Sequence, residues 1–284
     1  MHTHEEFHYR LPSRTGGQRP GSHPGSSLGA GQEFVSHASL YDRPDPRRLD
    51  LRASLRDLSG GWLVRINRQR AGIAVHVVVD VSSSMRFGSG KTKLEVAADF
   101  VEALGRSAFR VGDALGMLAF DVAERSDLFM PALVSRGVAS VMADLLRNCE
   151  TTAGSAHGLE DALQRIGGRG GLVFLVSDFH WPLDRLGPAL DLLAHAYVVP
   201  MIVWDPAEIE PPAHDTLAAV HDSESGVRRT LWVRPRLRDA WRTAVARRRV
   251  ALDRLFESRE LRPFYVTGAF DGEAMSRYFF EAAA

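Results

Sequence analysis

The chain has 284 residues, of which 45% are hydrophobic and 25% are charged, values typical of a globular protein. Its 35 basic residues (Lys and Arg) balance its 35 acidic ones, which argues against a nucleic-acid-binding protein, because that class usually carries a basic excess. The single cysteine, Cys149, excludes an intramolecular disulfide and a zinc site built from thiolates, and it favours a reducing compartment. The polar start is not a signal peptide, and no apolar run approaches the roughly 18 residues that span a bilayer. We therefore expect a cytoplasmic protein with no membrane span and no nucleic-acid partner.

The first part of the chain is expected to lie outside the main domain. Residues 1–32 are rich in Gly, Pro, Ser, Arg and His, and such a composition predicts a flexible tail, because it offers little apolar area to bury. Residues 33–71 contain the alternating segments RLDLRASL and GWLVRINRQ, separated by the turn DLSGG. Alternation with turn residues between the segments predicts a small β element.

The pattern changes at residue 72. Buried β-branched strands such as GIAVHVVVD and GLVFLVSDF alternate with helical segments such as KLEVAADFVEALGRSAF. Residues 72–284 are therefore predicted to form an α/β domain, with a doubly wound, mostly parallel sheet of about six strands and helices on both faces. A hairpin is expected near residue 225, and the basic run at 247–249 is interpreted as the solvated face of a helix.

Oxygen-bearing side chains follow two of these predicted strands. Asp80 ends GIAVHVVVD, and Ser82 and Ser84 follow it at a spacing of two, so their oxygens can converge on one side of a loop. The second strand, GLVFLVSDF, carries Asp178 at its end. Ligands of open parallel sheets bind at the carboxyl ends of strands, where these two ends can be neighbours. Carboxylates and hydroxyls suit a hard cation such as Mg²⁺, so the four residues are predicted to form a metal site.

Three other interpretations compete with this one. The segment GSGKT at residues 88–92 imitates the end of a phosphate-binding loop, but Met85 stands where that motif requires its first glycine. The second alternative is a hydrolase, because Ser, His and Asp are all present. However, the sequence has no GxSxG nucleophile elbow, and it places no histidine as the base. A scaffold protein without metal is the third alternative. Enzymatic activity is not expected.

The DxSxS pattern and its strand-end partner resemble the metal-ion-dependent adhesion site of von Willebrand factor A domains. More narrowly, the chain resembles the bacterial domain-of-unknown-function family 58. The resemblance covers most of residues 33–282. It rests on the segments DPRRLDLRASLRD, VVVDVSSSMRFG with KLEVAADFVEAL, RVGDALGMLAFD and LVFLVSDF.

This resemblance implies a von Willebrand factor A-like, Rossmann-like fold and a protein-binding function. In such domains the first Asp and the two Ser bind the metal, which is Mg²⁺ or else Mn²⁺ or Ca²⁺. A partner protein supplies a carboxylate as a further ligand. The matching residues in this chain are Asp80, Ser82 and Ser84, and Asp178 matches the strand-end acid. Related proteins are typically encoded beside a MoxR-type AAA+ ATPase and are thought to act with it as adaptors. The resemblance thus implies an adaptor that matures or remodels other proteins.

One loop departs from the family pattern. Related domains place a threonine ligand in a Gly-rich loop before a helix, and in CETTAGSAHGLEDAL that position falls on His157. Histidine is a poor ligand for Mg²⁺. Ser155 is therefore the favoured hydroxyl, with Thr151 and Thr152 as alternatives.

Overall fold

The computed structural model describes residues 6–11, 20–29, 33–151, 157–167, 170–221 and 228–282. Two units share the chain: one is Leu11–Ile73, and the other combines Met1–Arg10 with Ala74–Ala284. Among the described residues, no helix is both long and apolar enough to cross a membrane.

The smaller unit contains a three-stranded antiparallel sheet. Its strands are β1 (Pro20–Gly29), β2 (Glu33–Ser39) and β3 (Leu63–Ala71), and β3 lies between the other two. The predicted strand RLDLRASL is corrected here, because it contains a short helix, α1 (Leu51–Ser54). The carboxylate of Asp50 accepts a hydrogen bond from the backbone N–H of Ala53 and so caps that helix, a local signal that overrides the alternating pattern.

The larger unit is built around a six-stranded sheet. In chain order its strands are β4 (Ala74–Asp80), β5 (Ala114–Phe120), β6 (Met130–Leu133), β7 (Leu172–Ser177), β8 (Tyr197–Trp204) and, after a separate hairpin, β11 (Phe264–Thr267). The spatial order is β11-β8-β7-β4-β5-β6, and only the edge strand β6 runs antiparallel to its neighbour. The predicted sheet of about six mostly parallel strands is thus confirmed.

Helices cover both faces of this sheet. They are α2 (Lys93–Val111), α3 (Val138–Asn148), α4 (Leu159–Gln164), α5 (Leu186–Asp191), α6 (Pro206–Ile209), α7 (Pro235–Glu257) and α8 (Gly272–Ala282). Phe174 and Leu175 are consecutive in β7, so their side chains point to opposite faces. Phe174 contacts rings of α2 and α8, whereas Leu175 belongs to a buried cluster with residues of α4, α5 and α7. The central strands are therefore buried on both sides, as their β-branched sequences predict.

The predicted hairpin near residue 225 is also present. Strands β9 (Thr216–His221) and β10 (Arg228–Val233) pair antiparallel, and the turn between them lies outside the described residues. The hairpin leads directly into α7.

The structure departs from the predicted flexible tail in two places. Strand β1 lies within residues 1–32 and pairs with β3 through backbone hydrogen bonds, in spite of a Gly- and Pro-rich composition that disfavours strands. Near the start, Phe7 is completely buried and contacts the rings of Phe100 and Phe270. The hydroxyl of Tyr9 donates a hydrogen bond of 2.5 Å to Asp113. Residues 6–10 are therefore part of the larger unit.

Candidate metal centre

The two predicted acids lie at neighbouring strand ends. Strands β4 and β7 pair in parallel, with Val79 opposite Val176, so Asp80 and Asp178 emerge at the same carboxyl edge of the sheet. Both side chains are completely buried. An uncompensated buried charge strongly destabilises a fold. The stability of this edge of the sheet therefore depends on the hydrogen-bond and charge partners of each carboxylate.

Asp80 is bound by hydrogen-bond donors. Its Oδ1 accepts the backbone N–H of Ser82 at 2.9 Å, and its Oδ2 accepts the hydroxyl of Ser177 at 2.6 Å and the indole N–H of Trp181 at 3.2 Å. No cation pairs with Asp80 among the described residues. Burial, and then the charge of Asp178, raise the pKa of Asp80 to about 6. The carboxylate is therefore held in place while it lacks a neutralising charge.

The two serines bring their hydroxyls to the same acids. Ser82 Oγ and Ser84 Oγ are 3.3 Å apart, and the hydroxyl of Ser84 also donates to Asp178. A short 3₁₀ turn, Ser83–Arg86, follows Ser82 and positions Ser84. The structure thus brings four of the predicted ligands, Asp80, Ser82, Ser84 and Asp178, into one buried cluster.

A lysine that the sequence analysis did not identify occupies the same cluster. The side chain of Lys93 is only 2% exposed, and its Nζ lies 2.6 Å from Asp178 Oδ2 and 2.6 Å from Glu208 Oε1. Burial alone would lower the pKa of Lys93, but the charges of Asp178 and Glu208 hold it above its ordinary value. Lys93 in turn keeps the pKa of Asp178 low despite burial. The cluster therefore contains an ammonium ion that belongs to the protein itself.

The sequence analysis identified neither Lys93 nor Glu208, although each has a signal in the sequence. Lys93 is the first residue of α2, where the helix dipole disfavours a cation, so a lysine there requires an acidic partner. Glu208 lies in DPAE, the pattern of a helix capping box, and its Oε2 accepts the backbone N–H of Asp205 at 3.0 Å. Neither signal identifies the partner, because Lys93 and Glu208 are 115 residues apart.

The turn after Asp178 is held in an unusual conformation. Phe179 has a φ of 50°, which is uncommon for a residue with a side chain. The guanidinium of Arg248, on α7, donates to the backbone carbonyls of Phe179 and Trp181. The solvated face expected for residues 247–249 is therefore corrected at Arg248, which is half-buried against this turn.

Arg248→Met should destabilise the protein, because it leaves two carbonyls of the strained turn without their donor. We expect a loss of about 1–3 kcal/mol in the free energy of unfolding, measured by urea denaturation. The neighbouring Arg247 is exposed, so Arg247→Met is the matched control, with an expected change within about 0.5 kcal/mol. Equal losses in the two variants would contradict the role assigned to Arg248.

A cavity of about 250 Å³ lies beside the cluster and shares Glu208 with it. It is lined by His180, Trp204, Glu208, Ile209, Trp241, Ala244, Val245 and Arg248. The indole N–H groups of Trp204 and Trp241 donate to the backbone carbonyls of Asp178 and Glu208, so both already have an acceptor within the protein. Asp178, His180 and Glu208 also form a group whose ligand atoms all lie within 4.8 Å of one another, but the ammonium of Lys93 bonds to two of them.

The GSGKT segment forms the connection into α2. The backbone N–H and the hydroxyl of Ser89 both donate to Asp205, at 2.9 and 3.1 Å. Lys91 pairs with Asp99 at 2.6 Å, and Thr92 caps α2 in a capping box with Glu95. A phosphate would need these same donors. At Gly88 a Cβ atom would meet the carbonyl of Lys91 at 2.1 Å, so glycine is required by the tight turn itself.

The remaining predicted ligand cannot be placed. Ser155 and the alternative Thr152 lie outside the described residues. His157, which occupies the expected threonine position, is exposed, and its Nδ1 lies 3.1 Å from Arg185 Nη1.

Comparison with known proteins identifies the family. A family profile described as "Protein of unknown function DUF58" matches residues 44–251, which include every residue of the cluster. The chain belongs to the DUF58 family. Uncharacterized proteins of Mycobacterium tuberculosis and Mycobacterium bovis are each 29% identical over 244 residues, covering 82% of this chain and 74% of theirs. A shorter uncharacterized protein of Mycobacterium avium is 31% identical over 121 residues, covering 40% of this chain and 71% of its own length.

Two solved structures resemble this DUF58 chain at low sequence identity. One is the conserved hypothetical protein BatB from Bacteroides thetaiotaomicron, 15% identical, with a TM-score of 0.46 over 75% of this chain and 99% of that one. The other is an aerotolerance-related membrane protein from Bacteroides fragilis, 13% identical, with a TM-score of 0.44 over 74% and 98% of the two chains.

The donor set of this DUF58 protein fits a hard divalent cation. Asp80, Ser82, Ser84 and Asp178 offer only oxygen atoms, the ligands that Mg²⁺ prefers. Adjacent ligands of an octahedral ion with bonds of about 2.1 Å are about 3 Å apart, close to the 3.3 Å between the serine hydroxyls. Asp80 pairs with no cation in the segments that the structure describes, and its charge supplies an electrostatic reason for a metal ion to bind.

Proposed function

We propose that the protein is a metal-dependent protein-binding adaptor rather than an enzyme. The observation that carries this proposal is the buried cluster at the carboxyl edge of the sheet, where Asp80 and the hydroxyls of Ser82 and Ser84 converge and no cation of the described part of the chain pairs with Asp80. In this proposal the site is a metal-ion-dependent adhesion site of a von Willebrand factor A-like domain. Mg²⁺, or else Mn²⁺ or Ca²⁺, would be held by Asp80, Ser82 and Ser84, with Asp178 close by and Ser155 as a further expected ligand.

The metal would supply an open coordination position for a carboxylate of a partner protein. The residues of the chain orient the ligands: Ser177 and Trp181 fix Asp80, and Arg248 fixes the turn that carries Trp181. An adaptor needs no catalytic base or nucleophile, and the hydrogen bonds of Ser89 and Lys91 favour a structural role for GSGKT over phosphate binding. The partner that we propose is a MoxR-type AAA+ ATPase, in the cytoplasm.

The experiment has two parts. Purified protein is titrated with Mn²⁺ and Mg²⁺ by calorimetry, and the MoxR-type ATPase of the source organism is then tested for capture with and without EDTA. The double variant Ser82→Ala/Ser84→Ala removes two hydroxyl ligands, and Ser126→Ala, at an exposed serine, is the control. We expect capture that requires metal, survives in the control and is lost in the double variant.

Two results would point to the alternatives. Capture that persists unchanged in EDTA would indicate a metal-independent scaffold. ATP hydrolysis that Lys91→Ala abolishes would indicate a nucleotide-binding enzyme and would overturn the adaptor proposal.

A further inference from the structure

Lys93 is an internal cation next to the residues that would bind the metal. Its aliphatic stem is buried, and its ammonium bridges Asp178 and Glu208 at 2.6 Å each. The other oxygen of Asp178, Oδ1, accepts the backbone N–H of His180 at 3.1 Å. Both oxygens of Asp178 are therefore already engaged by donors of the protein, whereas Asp80 has no cationic partner among the described residues.

The charges of the cluster can be counted. When ionised, Asp80, Asp178 and Glu208 carry three negative charges, and Lys93 carries one positive charge. These four groups by themselves then carry a net charge of −2, equal and opposite to that of one divalent cation, and the nearby Asp205 and Arg248 add one charge of each sign. Without Lys93 the cluster would attract a cation more strongly, and without Glu208 it would attract one less, because charges a few Å apart interact strongly even near a protein surface.

We propose that Lys93 sets the metal affinity of this centre: its ammonium neutralises Asp178, competes with the metal for that carboxylate and keeps the affinity low. The inference rests on the proposed function, since it assigns a role toward the metal of the adhesion-type site. Glu208 has the opposite effect on the metal affinity. Its carboxylate lies 2.6 Å from the ammonium of Lys93, so that ammonium is divided between Glu208 and Asp178 and neutralises Asp178 less completely. A low affinity leaves metal binding dependent on the carboxylate that the partner adds.

The test is the affinity for Mn²⁺, measured by calorimetry on the full-length protein. Lys93→Met should tighten binding about tenfold or more, because it removes a positive charge close to the ion. Lys93→Arg keeps the charge and should stay close to wild type. Lys91→Met is the matched control, because Lys91 is half-exposed, pairs with Asp99 and lies outside the cluster.

Glu208→Gln should weaken Mn²⁺ binding about tenfold or more, since it removes a negative charge while an amide oxygen can still accept the N–H of Asp205. Opposite shifts in the two variants distinguish a charge effect from general damage to the fold. The double variant Lys93→Met/Glu208→Gln restores the net charge, so its affinity should return close to wild type. This variant also covers the case in which Lys93→Met alone does not fold.

The results separate this inference from the proposed function. If the wild type binds Mn²⁺ and Lys93→Met binds it equally or more weakly, the role of Lys93 is overturned and the metal centre stands. Binding in Lys93→Met without binding in the wild type would support the inference in its strongest form. If neither the wild type nor any variant binds Mn²⁺, the metal centre and the role of Lys93 both fail.

Discussion

Asp80→Ala is expected to abolish the thermal stabilisation that Mg²⁺ or Mn²⁺ gives to the wild-type protein. Asp80 is the acid of the cluster without a cationic partner among the described residues, so a metal ion gains more from it than from Asp178, which Lys93 neutralises. A ligand at one hundred times its dissociation constant stabilises a fold by about 2.7 kcal/mol. That stabilisation should appear in the wild type and vanish in the variant.

The same substitution should leave the metal-free protein folded, because two effects oppose each other. Burial and the charge of Asp178 raise the pKa of Asp80 in the fold, so the ionised carboxylate destabilises the metal-free protein at pH 7. Removing it relieves that cost, but the N–H of Ser82 and the hydroxyl of Ser177 lose their acceptor, at about 1–3 kcal/mol each. The net change should therefore be small beside the loss of the metal response.

Melting temperatures with EDTA and with excess Mn²⁺ measure both quantities. Asp144→Ala is the control, because Asp144 is an exposed acid on α3 and its removal should leave the metal response intact. If Asp80→Ala retains the full Mn²⁺-dependent rise in melting temperature, the ion binds elsewhere and Asp80 is not a ligand.

The positions of the two acids could be predicted because they depend on a regular feature of the chain. Each follows a run of β-branched residues that only a buried strand accommodates, and parallel strands bring their carboxyl ends to one edge. The pairing of β4 with β7 places Asp80 and Asp178 as expected. The runs of β-branched residues in the sequence are therefore enough to predict this part of the centre.

The polar partners of these acids could not be predicted in the same way. Lys93, Glu208 and Arg248 reach the centre from the starts of helices or from the middle of α7, and their partners lie between 67 and 115 residues away. A composition or a periodicity contains no information about such distant pairs. The charges of residues 247–249 therefore resembled an ordinary solvated face, although Arg248 stabilises the turn beside the centre.

The start of the chain shows how a short signal can be obscured by its surroundings. In residues 6–11 burial alternates: Phe7, Tyr9 and Leu11 are buried, while His8 and Arg10 are exposed. This alternation is visible in FHYRL, but it occupies five residues beside a long Gly- and Pro-rich segment. An average over residues 1–32 therefore predicts a tail, whereas two aromatic rings are enough to bind the segment to the core.

Phe7→Ala should lower the free energy of unfolding by about 3–5 kcal/mol, as expected for a completely buried phenylalanine. The ring of Phe7 contacts those of Phe100, Phe174 and Phe270, with centroids 5.8–6.4 Å away, so its removal opens a void between α2 and the central sheet. The measurement is urea denaturation at a pH where the wild type unfolds in one transition.

His8→Ala is the control for this experiment, because His8 is exposed beside Phe7, and its change should stay below about 1 kcal/mol. Hydrogen exchange gives an independent readout: the N–H of Phe7 donates to Ser107 at 3.0 Å and should be protected in the wild type but not in Phe7→Ala. A loss below about 1 kcal/mol for Phe7→Ala, with rapid exchange of that amide in the wild type, would mean that the segment does not dock and that the predicted tail begins at the first residue. Because the segment and the acids contact opposite ends of α2, a full loss in Phe7→Ala with an unchanged Mn²⁺ affinity would further show that the two ends of that helix act independently.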